Sequence, residues 1–412
     1  MGEQRRYELR IFDRTLIEFA IADTPFGPEV NLEDYDQTAH DLMPCGIALN
    51  PDGIWNWLEA RSIPANRKNA SQICRSLGFE LGDREALYRT SLGLSLNDAY
   101  WIVPRGFQGR FDDYNLYENA FSEAIGALAV ASEPNVGTLK GNTPELTTDG
   151  TLRKGWRIIN GRRVLYKGAS EGYVPGEPVS EYVASLIGQD VGLDIVTYGI
   201  DAWEGELCST CEDFATKALS YVPFAVATGE TGLAGVLRWC LEMGDAYLEQ
   251  ACDMLTFDAL ICNNDRHLTN FGLMRDNVTG LPIGLAPIFD NGRGLFPNVS
   301  EDDPKQFALE SELRSPAFGG ISFTELVSRI AGTHQRELLD RIASRGIIGN
   351  ARVSRRRIAA LDTFIRQQAE RLLELPLVDH DKLAADLKRT VPLRASREGA
   401  THRLLPHGGA RQ

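Results

Sequence analysis

The densest chemistry in the sequence lies at residues 255–272, LTFDALICNNDRHLTNFG, where an apolar stretch stops abruptly at Asn263, Asn264, Asp265, Arg266 and His267, with Asn270 close behind. A carboxylate such as Asp265 can take the proton of an attacking hydroxyl. The side-chain oxygen of Asn270, at this spacing, can hold a magnesium ion, and the two together suit phosphoryl transfer. The same letters also suit a helix-ending turn capped by Asn and Asp side chains, so the pair alone leaves both readings open. Further on, the apolar run 285–289 delivers Asp290, followed by Asn291 and Gly292. Magnesium takes oxygen ligands and keeps several waters, so Asp290 and Asn270 with nucleotide phosphates would complete its shell; an Asx-type turn after a strand is the competing reading. His267 reads as a hydrogen-bonding residue that holds the loop, in preference to a base or ligand.

A triphosphate also needs cations. Val164-Leu165-Tyr166-Lys167 puts a lysine at the end of an extended run, the V-x-x-K spacing by which kinases present a cation to nucleotide phosphates. Glu181 follows on the first expected helix, where a Lys–Glu ion pair would orient Lys167; an exposed lysine and a helix-surface glutamate would look the same in sequence. The order lysine, glutamate, catalytic Asp, Asn, metal Asp makes the set more telling than any member. Before the lysine, residues 147–155, TTDGTLRKG, occupy the place of a phosphate-covering loop. Backbone amides near Gly150 and Thr151 could cradle phosphates with help from Lys154, although the string is not GxxxxGK[ST]. Adenine would sit near the strand exit at Glu212 to Phe214, held by backbone groups.

These side chains need a scaffold. Residues 156–159 and 162–167 flank Asn160-Gly161, a turn dipeptide that signals a hairpin. The break at 175–178 precedes a helix over 179–187, with Ser180 near its start and Gly188 near its end. Strands at 194–198 and 206–211 would complete a small sheet with one helix. Beyond Glu212 the pattern turns helical, with 235–243 and 247–262 apolar on most sides, as befits helices inside a larger lobe. Residues 355–373 form an amphipathic helix with a stripe of Ile358, Leu361, Ile365, Ala369 and Leu372 and with its arginines on the wet face. The expected class is α+β, a two-lobed protein-kinase-like fold with a small sheet-plus-helix N-lobe, a mainly helical C-lobe and an extra N-terminal α/β region. The expected divisions are 1–136 (role unassigned), 137–211 (N-lobe), 212–385 (C-lobe) and 386–412 (a flexible tail). Pro, Gly, Asn and Thr between 133 and 149 mark the first boundary. In the first region, 115–131 could cover a helix face. Arg61, Arg67 and Lys68 read as a solvated helix face or, less simply, as a small basic patch.

The 412 residues are 43% hydrophobic, 24% charged and 8% aromatic, within the range of globular proteins, and point to two or three compact units. With 43 Lys and Arg against 57 Asp and Glu, the formal net charge is −14. That disfavours broad binding to phosphate backbones or anionic lipid, so neither direct nucleic-acid binding nor a membrane is expected. Seven scattered cysteines suit buried or free thiols in a reducing compartment. The lone pair Cys208 and Cys211 reads as two strand thiols, since four zinc ligands are not available locally. The opening Met-Gly-Glu-Gln-Arg-Arg lacks an apolar signal core, Arg6 stands where a myristoylation signal wants Ser or Thr, and no run approaches a membrane span. The expectation is a cytoplasmic protein.

Three strings, N-x-D-R-H-x-x-N at 263–270, A-P-I-F-D at 286–290, and Lys167 followed by P-x-S-E at 178–181, resemble the HipA-like serine/threonine kinases of bacteria over roughly residues 140–380. D-R-H-x-x-N also occurs in phosphoinositide kinases, so the motif speaks for the superfamily more firmly than for the acceptor. The resemblance implies Asp265 as catalytic base, Asn270 and Asp290 as magnesium ligands and Lys167 as nucleotide-phosphate contact. It further implies ATP and magnesium as cofactors, a protein substrate, and a possible antitoxin-like or regulatory protein partner. Members can phosphorylate their own glycine-rich loop, for which Thr147, Thr148 and Thr151 are available. The implied reaction is transfer of the ATP γ-phosphoryl group to a protein Ser/Thr. A small-molecule or lipid kinase on the same fold, and a non-catalytic interaction or repressor module, are the alternatives.

Overall fold

The structure is a computed structural model and describes residues 4–131, 138–139, 141–170, 176–303, 305–347 and 352–389. The boundary near 136, Pro175 and the tail from 390 onward lie outside the described residues.

The N-terminal region begins with strands β1 (Gln4–Ile11), β2 (Arg14–Thr24) and β3 (Gly27–Tyr35), followed by helices α1 (Pro51–Ala60), α2 (Ala70–Ser76) and α3 (Arg84–Ser91), then β4 (Tyr100–Pro104), α4 (Phe111–Tyr114) and α5 (Glu123–Val130). The strands form one antiparallel sheet in the order β3-β2-β1-β4. Alternation of Tyr7, Leu9 and Ile11 with polar neighbours puts one face of β1 into a core shared with Trp101, Ile54, Leu58 and Tyr88. Only the end of the expected 115–131 helix is helical. Arg61 and Arg67, expected on a wet face, are buried, because each finds internal acceptors: Arg61 donates to both oxygens of Asp98 at 2.7 Å and to the carbonyls of Gly93 and Tyr100, and both terminal nitrogens of Arg67 are bonded.

The second sheet has the order β5-β6-β8-β7, from β5 (Lys154–Ile159), β6 (Arg162–Lys167), β7 (Tyr198–Trp203) and β8 (Glu206–Glu212). Asn160 (φ 51°) and Gly161 (φ 79°) turn the expected hairpin with both central residues left-handed. Helix α6 (Gly176–Val191) packs on this sheet and is longer than the 179–187 expected. Pro178 is tolerated in its first turn, and Gly188 is a packing site where a Cβ would lie 2.8 Å from Ile195, not a helix stop. The strand expected at 194–198 starts only at Tyr198; Ile195 instead makes an isolated parallel bridge to Ile288. Cys208 and Cys211 are both buried and join different clusters.

The larger lobe contains β9 (Leu219–Pro223), α7 (Phe224–Thr228), α8 (Gly232–Met243), α9 (Asp245–Ile261), β10 (Gly272–Asp276), β11 (Pro282–Leu285), α10 (Lys305–Leu313), α11 (Phe323–Ile330), α12 (Thr333–Arg345), α13 (Arg355–Leu373) and α14 (His380–Arg389). The small sheet β11-β10-β9 was not expected; its strands are too short to set up a period. The stripe of α13 is buried as read. Its Arg357 is buried too, donating to the carbonyls of Leu295, Phe296 and Val299. One apolar core joins α8, α9 and α11 to α14, and it takes in the Tyr182, Val183 and Ile187 face of α6.

Candidate active site

Helix α9 stops because Cys262 turns left-handed (φ 52°) and its N–H closes on the Asp258 carbonyl. The chain then runs through 263–271 into β10, and β11 brings it back antiparallel, with the Ala286 N–H donating to the Gly272 carbonyl at 2.8 Å. The residues entering β10 and those leaving β11 therefore lie at the same end of one hairpin. Arg266, 1% exposed, ties the two together. Its guanidinium takes both oxygens of Asp258 on α9 at 2.9 and 3.0 Å, the Asn270 carbonyl at 2.7 Å, the Phe289 carbonyl, and the side-chain oxygen of Asn291 at 2.6 Å. Sequence reasoning gave Arg266, Asp258 and Asn291 no role. The available signal was Asp258, the one acid in the largely apolar last two turns of the helix, 254–261, which requires a buried partner.

Across the cleft, Lys167 ends β6 and donates to Glu181 on α6 at 3.2 Å and to Asp290. Ser209, opposite Lys167 on β8, donates to the other Glu181 oxygen at 3.0 Å and so fixes that carboxylate. Burial alone would lower the Lys167 pKa, but Asp290 and Glu181 outweigh it and hold the ammonium charged. Burial likewise opposes ionisation of Asp290, and Lys167 outweighs it, bringing the carboxyl from 3.8 to about 2. With two carboxylates sharing one ammonium, Glu181 is the one whose pKa rises, first through burial. Asp290 itself sits left-handed (φ 57°), its N–H directed to the Tyr198 hydroxyl at 3.4 Å, a backbone state tolerated by Asp more readily than by most residues.

Asp265 is half-exposed and within electrostatic range of Asp290 and Lys167. Its pKa is raised by burial and by the Asp290 charge and is pulled back by His267. His267 holds the loop as expected: its Nδ1 is 2.8 Å from the Thr269 hydroxyl, and its backbone bonds to Asp265 and Asn270. The Asn270 Nδ2 donates to the Asp265 carbonyl at 2.8 Å, which leaves the amide oxygen as its remaining ligand atom. Among the described residues no group of three or more His, Cys, Asp or Glu could hold a metal. The donor set that does exist, one carboxylate and one amide oxygen, fits a magnesium ion that also takes phosphate oxygens and water.

Lys154 begins β5 directly opposite Lys167 in register, and its ammonium lies against Gly150 (φ 90°). Burial, then Lys167, lowers its pKa to about 8. Two cations thus share the roof of the cleft. The candidate loop threonines differ. Thr147 is buried and donates to the Leu94 carbonyl at 2.7 Å, and Thr148 donates to Pro144 at 2.8 Å, so neither hydroxyl stands available as read from sequence; Thr151 is exposed. The Glu212 side chain points to the surface and pairs with Arg162 at 3.2 Å, leaving only its backbone for a hinge role. Phe214 packs on Phe289 and Tyr221, with ring centroids 5.3 and 5.6 Å away, next to Asp290.

No family model matches the chain. A curated relative, the serine/threonine-protein kinase CtkA of Helicobacter pylori, is 28% identical over 138 residues, which cover 30% of this chain and 42% of that protein. The chain thus matches less than half the length of that relative. Among solved structures, the HipA of the Shewanella oneidensis MR-1 toxin–antitoxin system, determined with HipB and operator DNA, aligns over 94% of this chain and 100% of its own at a TM-score of 0.55 and 15% identity. In fold, the chain is similar to HipA. The H. pylori proinflammatory kinase CtkA covers 58% of this chain and 94% of its own, with a TM-score of 0.46 and 18% identity. The resemblance to HipA-like kinases read from the three strings holds, and the HipA alignment is long enough to include part of the first 136 residues. Among the described residues no helix is long and apolar enough to cross a membrane.

Proposed function

We propose that the chain is an ATP- and magnesium-dependent kinase that transfers the γ-phosphoryl group to a Ser/Thr hydroxyl of a protein. The observation that supports this reading above all is the convergence of Lys167, Glu181 and Asp290 in one ion-paired cluster, with Asp265 and Asn270 at the same hairpin end. Asp290 and Asn270 would hold magnesium, and bound Mg-ATP would supply the electrophilic phosphorus and neutralise part of its charge. Lys167, kept charged and aimed by Glu181, would stabilise negative charge on the phosphate oxygens. Lys154 would add a second cation. Asp265 would orient the acceptor hydroxyl and take its proton on a carboxylate oxygen, a task favoured by its raised pKa. Adenine would lie at the hinge beside Phe214, against backbone groups from Glu212 onward.

Since the HipA neighbour was solved with HipB, a regulatory protein partner belongs to this reading. The expectation of no direct nucleic-acid binding rests on net charge alone, and a neighbour solved with operator DNA does not support it. Thr151 is the loop hydroxyl that exposure favours for self-modification. Incubation with labelled ATP and magnesium tests the reaction: label should enter protein and not a soluble product, and Asp290→Ala should abolish it. Near-normal labelling by that variant would remove Asp290 from its role.

A further inference from the structure

Arg67 stands in the N-terminal region, far in sequence from every motif, yet the loop preceding the nucleotide lysine is wrapped around it. Its guanidinium is fully buried, and one nitrogen donates to the Glu145 carbonyl at 2.7 Å and the Thr148 carbonyl at 3.0 Å. The second terminal nitrogen donates to the Glu145 carboxylate at 2.6 Å and to the Lys154 carbonyl at 2.7 Å. Glu145, Thr148 and Lys154, spread along this stretch, are thus fastened to one planar group. The neighbouring Lys68 N–H donates to the Thr151 carbonyl at 3.1 Å, and Thr147 donates back to Leu94. The second Glu145 oxygen accepts from the Trp156 N–H at 2.9 Å, which carries the restraint into β5.

Resting on the kinase reading above, we infer that Arg67 is the positioning residue for the phosphate-covering loop, so that the N-terminal region is a working part of the nucleotide site. A loop of this length with few glycines cannot shape itself around phosphates by backbone freedom alone. The loop is held from outside, by carbonyls that converge on a rigid donor, with Lys154 paired beside Lys167. Arginine suits this task and lysine does not, since a single ammonium cannot reach three carbonyls and a carboxylate in one plane. Arg67 touches neither nucleotide nor acceptor, so its removal should change nucleotide capture more than the chemical step.

Arg67→Lys is the test, with Arg61→Lys as control, because Arg61 is another buried arginine of the same region that binds Asp98, Gly93 and Tyr100 and none of the loop. Arg67→Lys should raise KM for ATP about tenfold with kcat nearly kept. It should also speed hydrogen exchange of the 147–155 amides in the nucleotide-free protein, while Arg61→Lys does neither. Equal KM and equal loop exchange in the two variants would overturn the inference. Should Arg67→Lys fail to fold, Glu145→Gln, which keeps an acceptor for Trp156 and discharges the Arg67 partner, replaces it with the same expectations. If the wild-type chain transfers no label from ATP, the kinase reading fails, and loop exchange in the nucleotide-free variants still decides whether Arg67 is the clasp.

Discussion

Two carboxylates at the site carry opposite perturbations, and each has a measurable consequence. The Asp265 pKa is raised from 3.8, first by burial, so under the proposed mechanism, in which this base must be ionised, activity rises with pH through a value above 3.8. The acid limb of the pH–rate profile for label transfer should lie there. Asp265→Asn should remove the limb and lower kcat by ~10²–10⁴-fold. Asp290 is depressed from 3.8 to about 2 because Lys167 outweighs its burial. Its ion pair therefore contributes stability that is complete above pH 3.8 and is lost as pH falls towards 2. Asp290→Asn should lower the urea midpoint at neutral pH, and the gap to wild type should close on acidification through that window. A gap that stayed constant with pH would show that the pair is not the source.

At the scale of elements, the buried fork of Arg266 joins α9, the loop entering β10 and the segment leaving β11. Removing one partner of such a buried pair leaves an uncompensated charge, which costs about 3–5 kcal/mol. Asp258→Asn should therefore lower Tm markedly and weaken labelling, although Asp258 lies outside the cleft. A second element-level device joins α5 to β5 through facing glycines: a Cβ on Gly126 would lie 2.8 Å from the Trp156 carbonyl, and one on Gly155 2.5 Å from the Gly126 carbonyl. Gly126→Leu should cost about 1–3 kcal/mol by overpacking, read as a shift in the denaturation midpoint.

Over the whole molecule, the N-terminal region grips both lobes across the hinge. On the N-lobe side lie Arg67 and the packing of Leu146 and Trp156 in the N-terminal core. On the C-lobe side, Arg275 of β10, 2% exposed, donates to the Asp41 and Met43 carbonyls and to the Tyr100 hydroxyl, and Tyr221 donates its N–H to Asn97 at 2.8 Å. A fragment starting at residue 141 would lose this core and keep only that of the larger lobe, so it should unfold at a lower urea concentration than the full chain. The exposed ties contribute far less: Lys217→Ala, which breaks pairs with Asp112 and Glu118 at 2.8 Å, should change stability by about 0–1 kcal/mol, against a large loss for Arg275→Met.

Local chemistry was legible in the linear sequence wherever spacing along the chain encodes it. Asp265 and Asn270 share one loop, Asn160-Gly161 commits its neighbours to a hairpin, and the α13 stripe repeats at helical period. The sheet β9 to β11 was not legible, because short buried strands carry no period. Arg61, Arg67, Arg266, Arg275 and Arg357 were not either, since composition marks an arginine as wet until folding supplies buried acceptors for it. Whether Lys167 meets Glu181 or solvent, and whether residues 4–131 stand apart or hold residues 145–154, depends on partners far away in sequence. Those were settled only when antiparallel pairing and core burial brought the distant backbone carbonyls and carboxylates within hydrogen-bonding reach.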